Sequence, residues 1–253
     1  MREIIIDKLK GIEQNNNVKI LYACESGSRA WGFASPDSDY DVRFIYIHNP
    51  DYYLSIDNAD DVIELPVNEV LDISGWDIRK ALKLFRKSNP PLMEWLQSPI
   101  VYACNEEFYA KMTALAPQYY IPRAGCNHYL SMTANTFENS LSGEQVRIKK
   151  YFYALRPVLA CLWTIGKGTL PPMEFEPLRS IINNTEVQNA IDTLLLQKTQ
   201  VDEKHTIPPV TVLQKFIADS MQFCREQEHT TASTKNPTEP LNELFRKYLH
   251  ESW

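Results

Sequence analysis

A chain of 253 residues, 44% hydrophobic and 23% charged, can bury a sizeable core as one large or two modest domains, which excludes a disordered polymer. A net charge of −6 excludes a surface coated in basic residues for indiscriminate polyanion binding, while leaving room for a local basic groove. Five cysteines (Cys24, Cys104, Cys126, Cys161 and Cys224), odd in number, widely spaced and without a C-x-x-C pair, signal neither a disulfide framework nor a zinc site.

Residues 2–14 carry Ile5, Ile6, Leu9 and Ile12 near helical spacing, which predicts an amphipathic helix. This start has acidic residues and lacks the basic opening and small-residue cleavage site of a signal peptide, and no run of eighteen apolar residues follows. The expectation is a soluble cytoplasmic protein with no membrane partner. "VKILYACE" (18–25) and "YDVRFIYI" (40–47) read as strands, and "DDVIELP" with "VNEVLDIS", broken by Pro66 and Asn68, reads as a hairpin beside them. After Gly75 the periodicity becomes helical: "DIRKALKLFRKSN" puts Ile78, Ala81, Leu82 and Phe85 on one face and Asp77 at the N-cap. Further helices are predicted at 92–97, 105–115, 124–140, 143–165, 186–199, 210–227 and 239–250, with the most linker-like stretch at 228–240. The fold class is therefore α/β (α+β), with a mixed domain over 1–102 followed by a mostly helical one over 103–253.

Between the first two strands lies "ESGSRAWGFASPDSDYDVRF", where two alternating aspartates lead into an apolar strand. Alternation would project Asp39 and Asp41 on the same face, and two carboxylates held so close repel unless a cation lies between them. Magnesium suits that demand, since it takes oxygen ligands and binds through one or two carboxylates plus substrate phosphates. Two ions are expected, with Mn²⁺ as a substitute, acting on the attacking and leaving oxygens of a phosphoryl displacement. Upstream, Gly27 lets backbone approach a phosphate, Ser28 offers a hydroxyl and Arg29 a guanidinium; with Ser38 they form the expected nucleotide-binding set for an NTP.

The pattern G-S, ten residues, then D-x-D resembles the signature of the polymerase-β-like nucleotidyltransferase superfamily, and the longer wording "GSRAWGFASPDSDYDVRF" is similar to its RNA-repair-associated branch. The similarity continues through 75–102 and 149–163. It implies a small mixed-sheet catalytic domain and a third carboxylate from a neighbouring strand. Asp72, inside the apolar run "VLDIS", is favoured as third metal ligand over Asp77, whose cap position is an ordinary reason for an aspartate. The implied reaction moves a nucleoside monophosphate from an NTP to an acceptor hydroxyl, with an RNA end as the acceptor the branch suggests. Nucleotidylation of a protein or small molecule is the runner-up, and a catalytically silent nucleotide- or RNA-binding partner in a toxin-antitoxin or repair complex is the different-class alternative. The resemblance also points to Lys150, Tyr153 and Arg156 as substrate or triphosphate contacts; Tyr153 and Arg156 share a helical face with Lys149.

Two remaining patterns are open. Arg79, Lys83 and Arg86 share the polar side of their helix, either as a groove for RNA phosphates or as a solvated face. "RAGCNH" puts Arg123 and His128 at an R-x4-H spacing seen in helical ribonucleases, or there by coincidence.

Overall fold

A computed structural model describes residues 1–57, 60–67, 70–227 and 236–253. The predicted break at Asn68, and the linker-like stretch up to residue 235, lie outside the described residues.

Helix α1 (Arg2–Asn16) buries Ile5, Leu9 and Ile12 and ends at Asn17, whose left-handed φ of 50° is one that asparagine tolerates. There follow β1 (Val18–Ser26), the short helix α2 (Gly27–Trp31), β2 (Tyr40–His48), α3 (Pro50–Tyr53), β3 (Val62–Glu64), β4 (Leu71–Asp77), α4 (Ile78–Arg86), α5 (Pro90–Trp95), β5 (Val101–Cys104) and α6 (Glu106–Tyr119). The five strands form one mixed sheet in the order β3-β4-β2-β1-β5. The predicted hairpin is present as the antiparallel pair β3–β4, with Val62 opposite Trp76. Strand β4 also runs parallel to β2, and that pairing depends on Gly75: a Cβ there would lie 2.2 Å from the Phe44 ring. One core joins the apolar side of α1 to Val42, Phe44 and Tyr46 of β2 and Ile73 of β4.

The remaining elements are α7 (Pro122–Ser140), β6 (Val146–Arg147), α8 (Ile148–Lys167), α9 (Phe175–Arg179), α10 (Thr185–Lys198), β7 (Thr206–Ile207), α11 (Thr211–Gln227) and α12 (Glu239–Glu251). The helix predicted from residue 143 begins only at Ile148, because Val146 and Arg147 pair with Ile207 and Thr206 as a two-stranded ribbon. Helix α8 is the central post of its core, fully burying Phe152, Leu155, Val158 and Leu159.

Two compact units result: Met1–Gly27, Asp39–Tyr119 and Lys235–Trp253 form one, and Ser28–Ser38 with Tyr120–Thr234 form the other. They differ from a contiguous division after residue 102. Helix α6 packs on β1, and α12 packs on α4 and β2, so both count with the sheet. Conversely, Phe33 of the 28–38 segment stacks on Phe152 of α8 at 5.0 Å, which assigns that segment to the helical unit. Among the described residues no helix is long and apolar enough to cross a membrane.

Candidate active site

Strand β1 leaves the sheet through Ser26, and the chain turns at Gly27 with φ +63°, a left-handed conformation that favours glycine. Ser26 is opposite Asp41, which sets the Asp41 carboxylate against the turn; a Cβ on Gly27 would lie 2.0 Å from Asp41 Oδ2. Glycine is therefore required here twice, once by the backbone angle and once by the protein's own carboxylate. The glycine-serine motif by itself predicts a phosphate against that bare backbone, where the structure has the Asp41 carboxylate.

The parallel register of β2 and β4 sets Asp72 directly opposite Asp41. Between the two carboxylates lies Arg43, which alternation puts on the same side of β2 as Asp41. Its Nη2 is 2.7 Å from Asp72 Oδ2 and 3.4 Å from Asp41 Oδ1, and its Nη1 donates to the carbonyls of Val42 and Asp72. All three side chains stay partly open, at 21% for Arg43, 32% for Asp41 and 30% for Asp72, so solutes can reach the cluster. Asp39 precedes the first residue of β2 and is exposed.

Beneath this cluster is Glu25, a fully buried carboxylate in β1 that the sequence reading did not single out. Its Oε1 accepts from the Asp41 backbone N–H at 2.7 Å, and its Oε2 accepts from the Tyr102 hydroxyl. The Ser98 hydroxyl donates to its carbonyl at 2.6 Å. A buried acid is stable only with such partners, and these fix the backbone that carries Asp41. The signal was present in the sequence as an acid ending an apolar strand. Arg43 was also visible, as the next alternate position after two aspartates.

Asp77 is at the other end of β4, five residues and about 16 Å along the strand from Asp72. One oxygen accepts from the Arg79 backbone N–H at 2.8 Å, capping α4, and the other accepts from the Tyr53 hydroxyl at 2.6 Å. Burial raises its carboxyl pKa against the opposing effect of those two bonds. Arg79 and Lys83 are exposed and Arg86 is half-buried on the outer side of α4.

Within the helical unit, Arg29 Nη2 donates to the Ser38 carbonyl at 2.5 Å, closing the 28–38 loop on itself. The Ser38 hydroxyl donates to Glu203 Oε1 at 2.9 Å, the Asp37 carboxylate accepts from the Glu203 backbone N–H, and Lys149 pairs with Glu203. Buried Lys198 donates to the Ser35 hydroxyl at 2.5 Å, and burial lowers its pKa. Ser28 is 5% exposed. Lys150 is 5.7 Å from the Tyr153 ring, whose edge meets Trp31. Arg156 is 2% exposed, with Nε and Nη2 both donating to the Met173 carbonyl and its guanidinium 4.6 Å from the Trp31 ring. Arg123 and His128 both belong to α7, where a five-residue separation turns their side chains about 140° apart.

The structure thus brings together Gly27, Asp41 and Asp72, and adds Arg43 and Glu25 to them. Among the described residues no group of three histidine, cysteine or acidic side chains converges as ready metal ligands. The donor set nevertheless fits a hard cation such as magnesium, because Asp41 and Asp72 offer oxygen atoms side by side and open to solvent. They are the residues that would hold it.

Fold and motif define a polymerase-β-like nucleotidyltransferase. The family model described as RlaP, RNA repair pathway DNA polymerase beta family, matches residues 1–247, and the chain belongs to that family. An uncharacterized protein of Bacillus subtilis (strain 168), YcgL, is 44% identical over 255 residues, covering 100% of this chain and 98% of its own. A solved nucleotidyltransferase-like protein from Exiguobacterium sibiricum 255-15 aligns over 98% of this chain and 80% of its own, at 12% identity and a TM-score of 0.32.

Proposed function

We propose that this nucleotidyltransferase moves a nucleoside monophosphate from an NTP to an acceptor hydroxyl with release of pyrophosphate, that it depends on magnesium, and that the acceptor is an RNA end. The observation that carries this reading is the side-by-side pair Asp41 and Asp72 at the Gly27 turn. The RNA acceptor is supported by the family's description as an RNA repair pathway polymerase.

Held by Asp41 and Asp72, magnesium would supply charge neutralisation for the transferred phosphoryl group. The protein's own part is positional and acid–base. Asp41 is fixed through its backbone by Glu25 and its carboxylate lies against the bare Gly27 turn, which limits the reorganisation needed when substrate arrives. A carboxylate oxygen of Asp72 accepts the proton of the acceptor hydroxyl; the acceptor oxygen forms a bond to the α-phosphorus while the bond to the pyrophosphate oxygen breaks. Arg43 neutralises the two acids in the absence of substrate, and a guanidinium freed from them would pair with phosphate oxygens instead.

The test is incubation of the purified chain with each α-labelled NTP, with RNA, DNA and protein acceptors in parallel, with magnesium, with manganese and with EDTA. Label appearing on RNA alone, and only with divalent cation, is the expected result. Label on protein would replace the acceptor, and label in EDTA would remove the cation from the reading.

A further inference from the structure

Helices α4 and α12 leave a groove of about 780 Å³ between them, at the opposite end of β4 from Asp72. Leu241, Phe245 and Leu249, spaced at one helical turn, line it from α12, and Leu82 lines it from α4. Along one side run Arg79, Lys83 and Arg86, one turn apart and spanning about 10 Å of α4. None of the three cations is in an ion pair among the described residues, although Arg86 donates to the Thr238 hydroxyl, and the groove's described lining contains no carboxylate; Asp57, Asp60, Asp61 and Asp77 line the adjoining cavity that shares Arg79 and Lys83, where Asp61 is paired with Lys80. On a protein of net charge −6, three cations without an ion pair beside an apolar floor favour an anion with an apolar body on this side of α4.

The aromatic groups narrow the choice. Phe245 meets the Tyr53 ring edge-on at 5.2 Å, and the Arg79 guanidinium is 5.5 Å from the same tyrosine ring. A flat ring entering the groove has Phe245, which is only partly buried, to pack against. Asn242 offers an amide that can both donate to and accept from a base edge. A single carboxylate would need one cation; three cations along two helical turns suit phosphate oxygens spread over several ångströms.

We propose that the groove between α4 and α12 is a second nucleotide-binding site, taking a base against Phe245 and its phosphates along Arg79, Lys83 and Arg86. Its existence is independent of the transfer reaction; its use as the dock for an acceptor strand rests on the proposed transfer reading. The occupant is a segment of single-stranded RNA, whose successive phosphates span the three cations; a free nucleotide is the other outcome of the test. Anisotropy of a labelled uridylate decamer and calorimetry with UMP are measured in EDTA on the full chain and on Lys83→Glu, Phe245→Ala and Asp41→Asn. The decamer should bind the parent and Asp41→Asn alike, and lose at least tenfold in affinity with Lys83→Glu and with Phe245→Ala, whereas UMP, with one phosphate, should bind at least tenfold more weakly than the decamer. Lys83 is exposed and its reversal leaves the core intact, so a folding defect in Phe245→Ala does not spoil the test. UMP binding as tight as the decamer's would replace the strand with a free nucleotide and overturn the strand assignment. Unchanged affinity in both groove variants, displacement of the RNA by dodecanoate at equal concentration, or self-association of the chain that is lost in Phe245→Ala would overturn the site. If the parent transfers no label yet the groove variants still weaken binding, the transfer reading fails and the groove stands. Normal transfer with unaltered RNA binding gives the converse.

Discussion

Gly27 is constrained by a positive φ and by a carboxylate lying where its Cβ would go. The two constraints separate experimentally. Gly27→Ala should destabilise the fold by the left-handed cost of about 1–2 kcal/mol plus the displacement of Asp41. In an Asp41→Ala background the second part should vanish, so a double-mutant cycle read by urea denaturation should show coupling above 0.5 kcal/mol. Strict additivity would mean the turn does not touch Asp41. Asp41→Asn and Asp72→Asn should each abolish label transfer with an unchanged circular dichroism spectrum, since neither removes core volume. Asp77→Ala should retain most transfer and lose about 0.5–2 kcal/mol of stability through the lost cap, more if the Tyr53 hydroxyl is left unpaired. A transfer defect in Asp77→Ala larger than that of Asp72→Asn would reverse their roles.

Strand β4 joins the two properties that matter at the next scale, since its parallel pairing with β2 both closes the sheet and sets Asp72 beside Asp41. Gly75 is the weak point of that pairing because the Phe44 ring fills the space over its Cα. Gly75→Ala should cost several kcal/mol and lower transfer together, as overpacking costs about 1–3 kcal/mol even in better-tolerated sites. A Phe44→Leu change in the same chain should recover part of both, measured as Tm and as initial rate. The elements themselves were largely legible in the sequence: the apolar runs at 18–25 and 40–47 are strands largely buried along their length, and the spacing after Gly75 is the helical period of an amphipathic helix. Helix α9, five residues long, was not read, and α8 begins five residues later than its pattern suggested, because the β6–β7 ribbon is a pairing between segments about sixty residues apart. Around the site, the spacing singled out Asp39 and Asp41 and the family resemblance implied Asp72, but neither could reveal that Arg43 bridges Asp41 and Asp72 or that Glu25 holds the strand below. Those facts belong to register and burial, which local sequence does not carry. Arg156 shows the same limit from the other side: helical periodicity put it beside Lys149 and Tyr153, whereas its guanidinium bonds the Met173 carbonyl within the helical core.

For the molecule as a whole, His48 couples stability to pH. It is 8% exposed and its ring stacks on Tyr52 at 3.4 Å; burial lowers its pKa from 6.5 to about 4. The unfolded chain therefore takes up a proton that the folded chain refuses, so this contribution is complete above pH 6.5 and is lost as pH falls toward 4, amounting to up to about 3 kcal/mol. His48→Phe keeps a ring to stack and removes the proton site, and should flatten the urea midpoint between pH 6.5 and 4 relative to the parent. A parallel decline in both proteins would assign the acid sensitivity elsewhere.

Because α12 is counted with the sheet while more than a hundred residues of the other unit intervene, the sheet unit is assembled from both ends of the chain. During synthesis its helix α4 waits without its α12 partner until nearly the whole chain has emerged, so the helical unit has all its segments available first. A released, truncated chain ending at residue 227 should accordingly protect 122–227 from proteolysis while leaving α4 cleavable, and the full chain should hold α4 in the resistant state. The sheet unit, although its strands come first in the chain, is then the unit completed last.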